Sequence, residues 1–145
     1  MFIEENMEGV VDSQGNLAQL TLRNAEICCI DFRDQIKLYF NSEERRRLCY
    51  TLLTVRHFHC SDMTMTNVAE EFSMATKCHL YIAEEDTLFG LPAYHSASMK
   101  RHISITRREL LHGKLILVKM VPHRGCKLLA ICERVRFERI LLTSQ

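Results

Sequence analysis

The stretch Gln35-Ile36-Lys37-Leu38-Tyr39-Phe40-Asn41-Ser42-Glu43-Glu44 decides the predicted fold, because it joins two kinds of secondary structure. Apolar and polar residues alternate from 35 to 40, which is typical of a strand with one buried face. Ser42 can accept a hydrogen bond from a free backbone N–H, and the two glutamates complement the positive end of a helix dipole. The stretch therefore predicts a strand that runs directly into a helix.

The predicted helix continues over residues 42–56. Leu48, Leu52 and Val55 recur at positions i, i+4 and i+7, which places them in one core-facing stripe. Three arginines, Arg45, Arg46 and Arg47, fall in the opening turns, where the helix dipole disfavours cations, so local helix stability does not explain them. We expect this segment to be the one well-defined central helix.

A second, shorter helix is predicted within residues 67–77. Asn67-Val68-Ala69-Glu70 has the pattern of a capping box, and Val68, Phe72 and Ala75 share one helical face. Residues 42–77 are therefore interpreted as the helical segment of the chain.

Strands are predicted on both sides of this helical segment. Residues 1–41 form a meander, with an edge strand in 1–11 and turns at 12–16 and 33–34. In the part 78–145, strands are expected at 78–83, 101–106 and 114–121, and the turn 122–125 makes a hairpin with 126–132. Residues 132–142 fit a continuing strand or a helix. The fold class predicted is α+β, one domain over 1–145 with mainly antiparallel sheet.

Composition indicates a folded intracellular protein. The chain has 145 residues, 47% of them hydrophobic, which suffices for one core. Its acidic first residues do not fit a secretory signal, and its apolar runs are far shorter than the roughly 18 residues of a membrane span. The odd number of cysteines, seven, favours a reducing compartment over a disulfide framework. We expect a cytoplasmic or nuclear protein that does not enter a membrane.

Charge is divided unevenly along the chain. Residues 1–99 hold 8 Lys and Arg against 15 Asp and Glu, whereas residues 100–145 hold 11 against 3. A basic C-terminal part on an acidic body indicates a positive surface for an anionic partner. The alternative is that the two charges neutralise each other within one fold or across a homodimer.

The basic residues give the leading functional hypothesis, a non-enzymatic regulatory or accessory protein that binds RNA or DNA. A folded sheet would display the C-terminal cations as a surface, and arginine binds phosphates bidentately. Stacking on bases needs exposed aromatic residues, and Phe137 is the only aromatic residue in residues 100–145, so we expect binding to the phosphate backbone and not readout by stacking. The residues expected to bind nucleic acid are Arg107, Arg108, Arg124, Arg134 and Arg136, followed by Arg45, Arg46 and Arg47.

Catalytic and metal-binding motifs are weak. The sequence contains no glycine-rich phosphate loop, no Gly-x-Ser-x-Gly elbow and no His-Glu-x-x-His motif, so we expect no enzyme and no cofactor. Thiolate and imidazole are the groups that hold tetrahedral zinc, but adjacent ligands point to opposite faces of a strand, so the spacing is poor. The candidates for a zinc-stabilised module are His57, His59, Cys60, Cys78 and His79.

The main alternative function is a protein–protein adaptor or a small viral-type effector acting on a host protein. Its basis is the acidic body together with the apolar stretch Leu88-Phe89-Gly90-Leu91-Pro92-Ala93-Tyr94, which is predicted to be a loop. Such a loop either exposes an apolar patch to a partner or folds its side chains into the core.

The meander followed directly by a helix, Ile36 to Glu44, resembles the layout of Whirly- and PUR-type single-stranded nucleic-acid binders. The resemblance is one of layout over about 40 residues, without signature residues, and it transfers no site residue.

Overall fold

The computed structural model describes residues 2–6, 22–42 and 46–140. Within these ranges the chain forms seven strands, two α-helices and one short 3-10 helix: β1 Phe2–Asn6, β2 Leu22–Asp31, β3 Ile36–Asn41, β4 Arg47–Ser61, β5 Val68–Ala75, α1 Ile82–Phe89, the 3-10 helix Pro92–Tyr94, α2 Ala97–Leu111, β6 Ile116–Arg124 and β7 Lys127–Ile140.

Antiparallel pairing closes six strands into a barrel. Their order is β7-β4-β3-β2-β5-β6, and β6 pairs again with β7, with Ile116 opposite Cys132. β1 adds to the other half of β7, with Phe2 opposite Ile140. The predicted α+β class with a central helix is therefore wrong, because the core lies inside a closed sheet and the helices lie outside it.

Aromatic rings fill the centre of the barrel. The Tyr50 ring lies 5.8 Å from Phe40, 5.0 Å from Phe72 and 5.0 Å from Phe137, measured between centroids. Phe40 and Phe72 are themselves 4.6 Å apart. These four side chains come from four different strands, so their contacts join the barrel wall across its interior.

The predicted central helix 42–56 is wrong, since its described part is the connection after β3 and most of β4. Leu48, Tyr50 and Leu52 alternate into the barrel with the period of a strand. Ser42 does not begin a helix; its hydroxyl accepts a hydrogen bond from the Arg46 N–H at 3.2 Å, and its own N–H donates to the Arg46 carbonyl. Residues 43–45 lie outside the described part. The layout resemblance to Whirly- and PUR-type proteins loses its basis with this helix.

β4 is bent near its middle. Thr54 has φ +52°, unusual for a β-branched residue, and the pairing with β7 shifts register between Val55 and His57. Such an irregularity increases the local twist and turns the strand to a new direction. The N-terminal half of β4 pairs with both β3 and β7, whereas its C-terminal half pairs with β7.

The predicted short helix in 67–77 is also wrong, because this segment is β5. Asn67 does not cap a helix but holds a loop. Its side-chain oxygen accepts hydrogen bonds from the N–H groups of Thr64 and Cys126, both at 2.9 Å, and its amide donates to the Thr64 carbonyl at 2.8 Å. The capping-box pattern thus reflects a polar side chain that satisfies backbone groups across two loops.

Two helices occupy positions predicted as strands. The strand predicted at 78–83 is wrong, since α1 begins at Ile82 within it, and the strand predicted at 101–106 lies inside α2. Ile103, Thr106 and Leu110 are the buried residues of α2, a helical spacing, and Ile105 is exposed. Ile103 and Leu110 belong to a second apolar cluster with Leu129 and Ile131 on the outside of β7.

The hairpin predicted in the C-terminal part is confirmed. β6 and β7 pair with Met120 opposite Leu128, although β6 continues through Pro122 to Arg124, so the turn is later than predicted. β7 remains a strand to Ile140, which excludes the alternative of a helix over the described part of 132–142. In the described ranges no helix is long and apolar enough to cross a bilayer.

Candidate functional site

The helix α2 carries four cations, Lys100, Arg101, Arg107 and Arg108, and a single acid, Glu109. It begins after Ser96, whose hydroxyl accepts a hydrogen bond from the Met99 N–H at 3.1 Å. It ends before Gly113, which adopts φ +78°, a conformation that glycine tolerates better than other residues. Because its apolar face packs on the barrel, the opposite face is turned to solvent.

Cations dominate the solvent-facing side of α2. Lys100, Arg101 and Arg108 are exposed, and none of the three has an ion-pair partner in the described part of the chain. We call these three residues the α2 cationic face. Arg101 and Arg108 are seven residues apart, so they lie on one side of the helix, about 10 Å from each other along its axis.

The carboxylates near α2 do not neutralise this face. Glu109, the one acid of the helix, is half-buried and lies close enough to Arg56 of β4 to interact electrostatically with it. Glu85 of α1 binds Arg107 through two contacts, Nε to Oε1 at 2.7 Å and Nη2 to Oε2 at 2.5 Å. Arg107 thus ties α2 to α1, while the α2 cationic face stays available to a ligand.

An exposed aromatic ring lies immediately before this helix. Tyr94 ends the 3-10 helix two residues before Ser96, and its side chain is 86% exposed. By contrast Phe137, the only aromatic residue in residues 100–145, is 3% exposed and packs inside the barrel. Tyr94 is therefore an exposed aromatic residue next to the basic helix.

The structure distributes the predicted nucleic-acid-binding arginines over four places and does not gather them. Arg107 and Arg108 are on α2, Arg124 is at the end of β6, Arg134 and Arg136 are exposed on β7, and Arg46 and Arg47 are at the start of β4. Arg45 lies outside the described residues. The expected single basic sheet surface is thus replaced by a helix and several separate strand positions.

Acidic side chains accompany the arginines of β7. Glu133 precedes Arg134 and binds Arg56 of β4 at 2.6 Å, and Glu138 follows Arg136 by two residues. Arg136 also has an interaction of its own within the structure. The sheet surface is therefore mixed in charge, and α2 is the better candidate for an anionic ligand.

The predicted metal ligands lie in separate places. His57 contacts His102 of α2, with 2.7 Å between their Nε2 atoms, whereas Cys60 contacts Cys126. Cys78 and His79 line a groove on the outside of β5 and β6. In the ranges that the structure describes, no three His, Cys, Asp or Glu residues are arranged to hold one metal ion.

That groove has a volume of about 310 Å³ and a polar wall. Lys119 is one of its lining residues, with Nζ 2.7 Å from Glu84 Oε2 of α1 and 5.2 Å from the centre of the Tyr81 ring. Burial raises the pKa of the Cys78 thiol, so the thiol beside Lys119 stays protonated and is a poor nucleophile at neutral pH. The groove therefore lacks an activated cysteine.

Searches against protein-family models, curated protein sequences and solved structures found no match for this chain.

Sequence patterns could have indicated the helix. Ser96 as N-cap and the spacing of Ile103, Thr106 and Leu110 are both visible in the sequence, and they place Arg101 and Arg108 on the opposite face. The alternation of Ile103 and Ile105 gave a competing strand prediction. Tyr94 was overlooked because its loop was assessed as an apolar segment and not as the approach to a basic helix.

Proposed function

We propose that the protein binds nucleic acid through the α2 cationic face, as a non-enzymatic accessory or regulatory protein. The observation that carries this proposal is the absence of any partner for Lys100, Arg101 and Arg108 in the described structure, on a helix whose one acid faces elsewhere. Unpaired cations of one sign on a rigid element attract phosphate groups and release the counterions that surround them.

Tyr94 supports a single-stranded ligand over a duplex. An exposed ring offers a base a stacking surface of any sequence, and bases are free to stack on it only where they are unpaired. The ring precedes the N-terminal end of α2, near Lys100 and Arg101 in the chain. A strand whose backbone follows the helix could thus place one base on Tyr94.

The proposal is tested by fluorescence anisotropy with labelled single-stranded RNA, single-stranded DNA and duplex DNA at two salt concentrations. Three phosphate contacts predict a slope of roughly −2 in log K against log salt on a single strand. The double variant Arg101→Glu/Arg108→Glu should bind all sequences more weakly and show a shallower slope.

The matched control is Arg134→Glu/Arg136→Glu, which changes the charge by the same amount on β7. The proposal predicts that the control keeps most of the wild-type affinity, apart from a small long-range effect. Equal losses in both double variants would show that net charge, and not the α2 cationic face, determines binding. Salt-independent binding, or none, by the wild-type protein would exclude the proposed function.

A protein–protein adaptor is the second candidate. Its basis is a set of exposed apolar side chains at the two ends of α1: Tyr81 at 70%, Ile82 at 81% and Leu91 at 55% exposure. The stretch 88–94, predicted as a loop, is instead the end of α1, a two-residue connection and the 3-10 helix; within it Phe89 is buried, whereas Leu91 and Tyr94 are exposed. Ile82→Ser and Leu91→Ser should remove partner binding in this case without affecting nucleic-acid binding.

A further inference from the structure

Two cysteines that are distant in sequence have their thiols in contact. Cys60 is near the end of β4, and Cys126 immediately precedes β7; their Sγ atoms are 2.9 Å apart. The β4–β7 pairing, with Ser61 opposite Lys127, brings the two residues together. All seven cysteines lie in the described part of the chain as free thiols, and this is the one sulfur–sulfur contact among them.

The surrounding loops fix Cys126 in position. Its N–H donates to the Asn67 side-chain oxygen at 2.9 Å, and its side chain is fully buried. Gly125 before it has φ +81°, and a Cβ at that position would collide with Asn67 and Thr64. Cys60 is only partly buried whereas Cys126 is fully buried, so Cys60 is the more accessible residue of the pair.

We propose that Cys60 and Cys126 are a redox-active dithiol that a small disulfide, such as oxidised glutathione, converts to an intramolecular disulfide. The folded barrel already brings the two sulfurs close, so bond formation requires a small approach to the covalent distance of about 2.05 Å. This inference is independent of nucleic-acid binding, because neither residue belongs to the α2 cationic face.

The reaction proceeds in two exchanges. The Cys60 thiolate attacks one sulfur of oxidised glutathione; a protein–glutathione disulfide forms and one glutathione thiolate leaves. Cys126 then loses its proton and attacks Cys60 Sγ, and the second glutathione leaves as a thiolate that accepts that proton. Two protein thiols are oxidised by two electrons, and one glutathione disulfide is reduced to two glutathiones.

The order of attack follows from the environments of the thiols. Burial, followed by the hydrogen bond to Cys60, raises the pKa of Cys126, so Cys126 is a poor first nucleophile. Its role is to attack the mixed disulfide that forms at Cys60, where the two sulfurs are already in contact. Cys28 and Cys29 are more exposed than Cys60. They are adjacent in the chain, but in the described structure neither sulfur contacts another cysteine sulfur.

The test uses the folded full chain, oxidised glutathione, alkylation with N-ethylmaleimide and trypsin digestion without reduction. Cleavage isolates Cys60 in peptide 57–77 and Cys126 in peptide 125–127, each with a single cysteine. The expected product is these two peptides linked by a disulfide, in greater amount than any other disulfide. Recovery of both as alkylated thiols, or of Cys60 linked mainly to Cys28, Cys29 or glutathione, would overturn the proposal.

Two variants and one physical measurement complete the test. Cys28→Ser should form the Cys60–Cys126 link as the wild type does, whereas Cys60→Ser should not form it. The link closes a long loop, so oxidation should raise the Tm of the wild type by roughly 5 °C and leave that of Cys60→Ser unchanged. A lower Tm after oxidation would contradict a site that the fold arranges for disulfide formation.

Discussion

His57 on β4 and His102 on α2 approach each other until their Nε2 atoms are 2.7 Å apart. This contact is a hydrogen bond only when one ring donates an N–H and the other accepts it, so it is lost when both rings carry a proton on Nε2. The Phe89 ring lies edge-on to His57 at 4.7 Å and completes the contact between helices and barrel. Protonation of both histidines should therefore weaken the contact between α2 and the barrel.

Stability should therefore fall in mildly acidic solution. Burial, followed by the charges of His102 and Arg56, lowers the pKa of His57 in the folded protein. The unfolded chain consequently binds a proton at His57 at a higher pH, near 6.5, than the folded chain does. The stabilisation is complete above pH 6.5 and is lost as pH falls through the folded pKa.

Thermal unfolding followed by circular dichroism between pH 8 and pH 5 measures this effect. Compared with wild type, His57→Gln should show a smaller decrease in Tm over this range, because its side chain does not titrate. Parallel Tm curves for the two proteins would show that the histidine pair does not contribute to acid sensitivity.

Removing the Tyr50 hydroxyl should stabilise the barrel. Tyr50 is fully buried, its hydroxyl has no hydrogen-bond partner in the described structure, and burial raises its pKa. An unsatisfied buried hydroxyl costs about 1 kcal/mol or more, so Tyr50→Phe should raise the Tm by about 3 °C. Tyr39→Phe is the control, because the Tyr39 hydroxyl has a partner in Cys49 and its loss should not stabilise. A lower Tm for Tyr50→Phe would show that this hydroxyl is satisfied.

Strand and helix were hard to distinguish in the sequence because the same residues fit both periods. Leu48, Leu52 and Val55 have helical spacing, yet Tyr50 between them is also in the core, and contacts across the barrel decide in favour of a strand. The unexplained cations of Arg46 and Arg47 were a sign against the helix. Local patterns predicted the β6–β7 hairpin well because its partners are neighbours in the chain.

Barrel closure could not be predicted from local patterns. It depends on the pairing of β4 with β7 and of β2 with β5, which join segments far apart in the sequence. In contrast, the charge asymmetry is visible in the sequence, and the residues of the proposed site, Lys100, Arg101 and Arg108, belong to its basic part. The sequence could not show that Arg134 and Arg136 lie on a surface of mixed charge, because the ion pair of Glu133 with Arg56 is visible only in the folded structure.

Gly125→Ala should destabilise the protein more than Gly113→Ala. Both glycines have a positive φ, +81° and +78°, so each alanine incurs a backbone cost of about 1 kcal/mol. At Gly125 the new Cβ also collides with the Asn67 side chain, whereas at Gly113 its nearest neighbour is the flexible Lys77 side chain. Urea unfolding should give a loss larger by about 1 to 2 kcal/mol for Gly125→Ala. Equal losses in the free energy of unfolding would show that the Asn67 side chain moves aside at little cost.

Tyr94→Ala should reduce affinity for single strands by about 5- to 100-fold, the range for loss of one stacked base. Affinity for duplex DNA should change little, since paired bases do not reach the ring. Tyr81→Ala is the control, because Tyr81 is also exposed but lies against Lys119 at the groove. Anisotropy titrations measure both, and equal effects of the two variants would exclude a specific stacking role for Tyr94.

Lysine acetylation footprinting, read by mass spectrometry with and without saturating single-stranded RNA, tests the α2 cationic face most directly. Lys100 lies on that face, whereas Lys127 is exposed at the start of β7 and serves as the internal reference. Bound RNA should slow acetylation of Lys100 by about fivefold or more and leave Lys127 unchanged, because phosphate contacts cover only the helix. Equal acetylation of Lys100 in the free and bound protein, or protection of Lys127 in its place, would contradict the account.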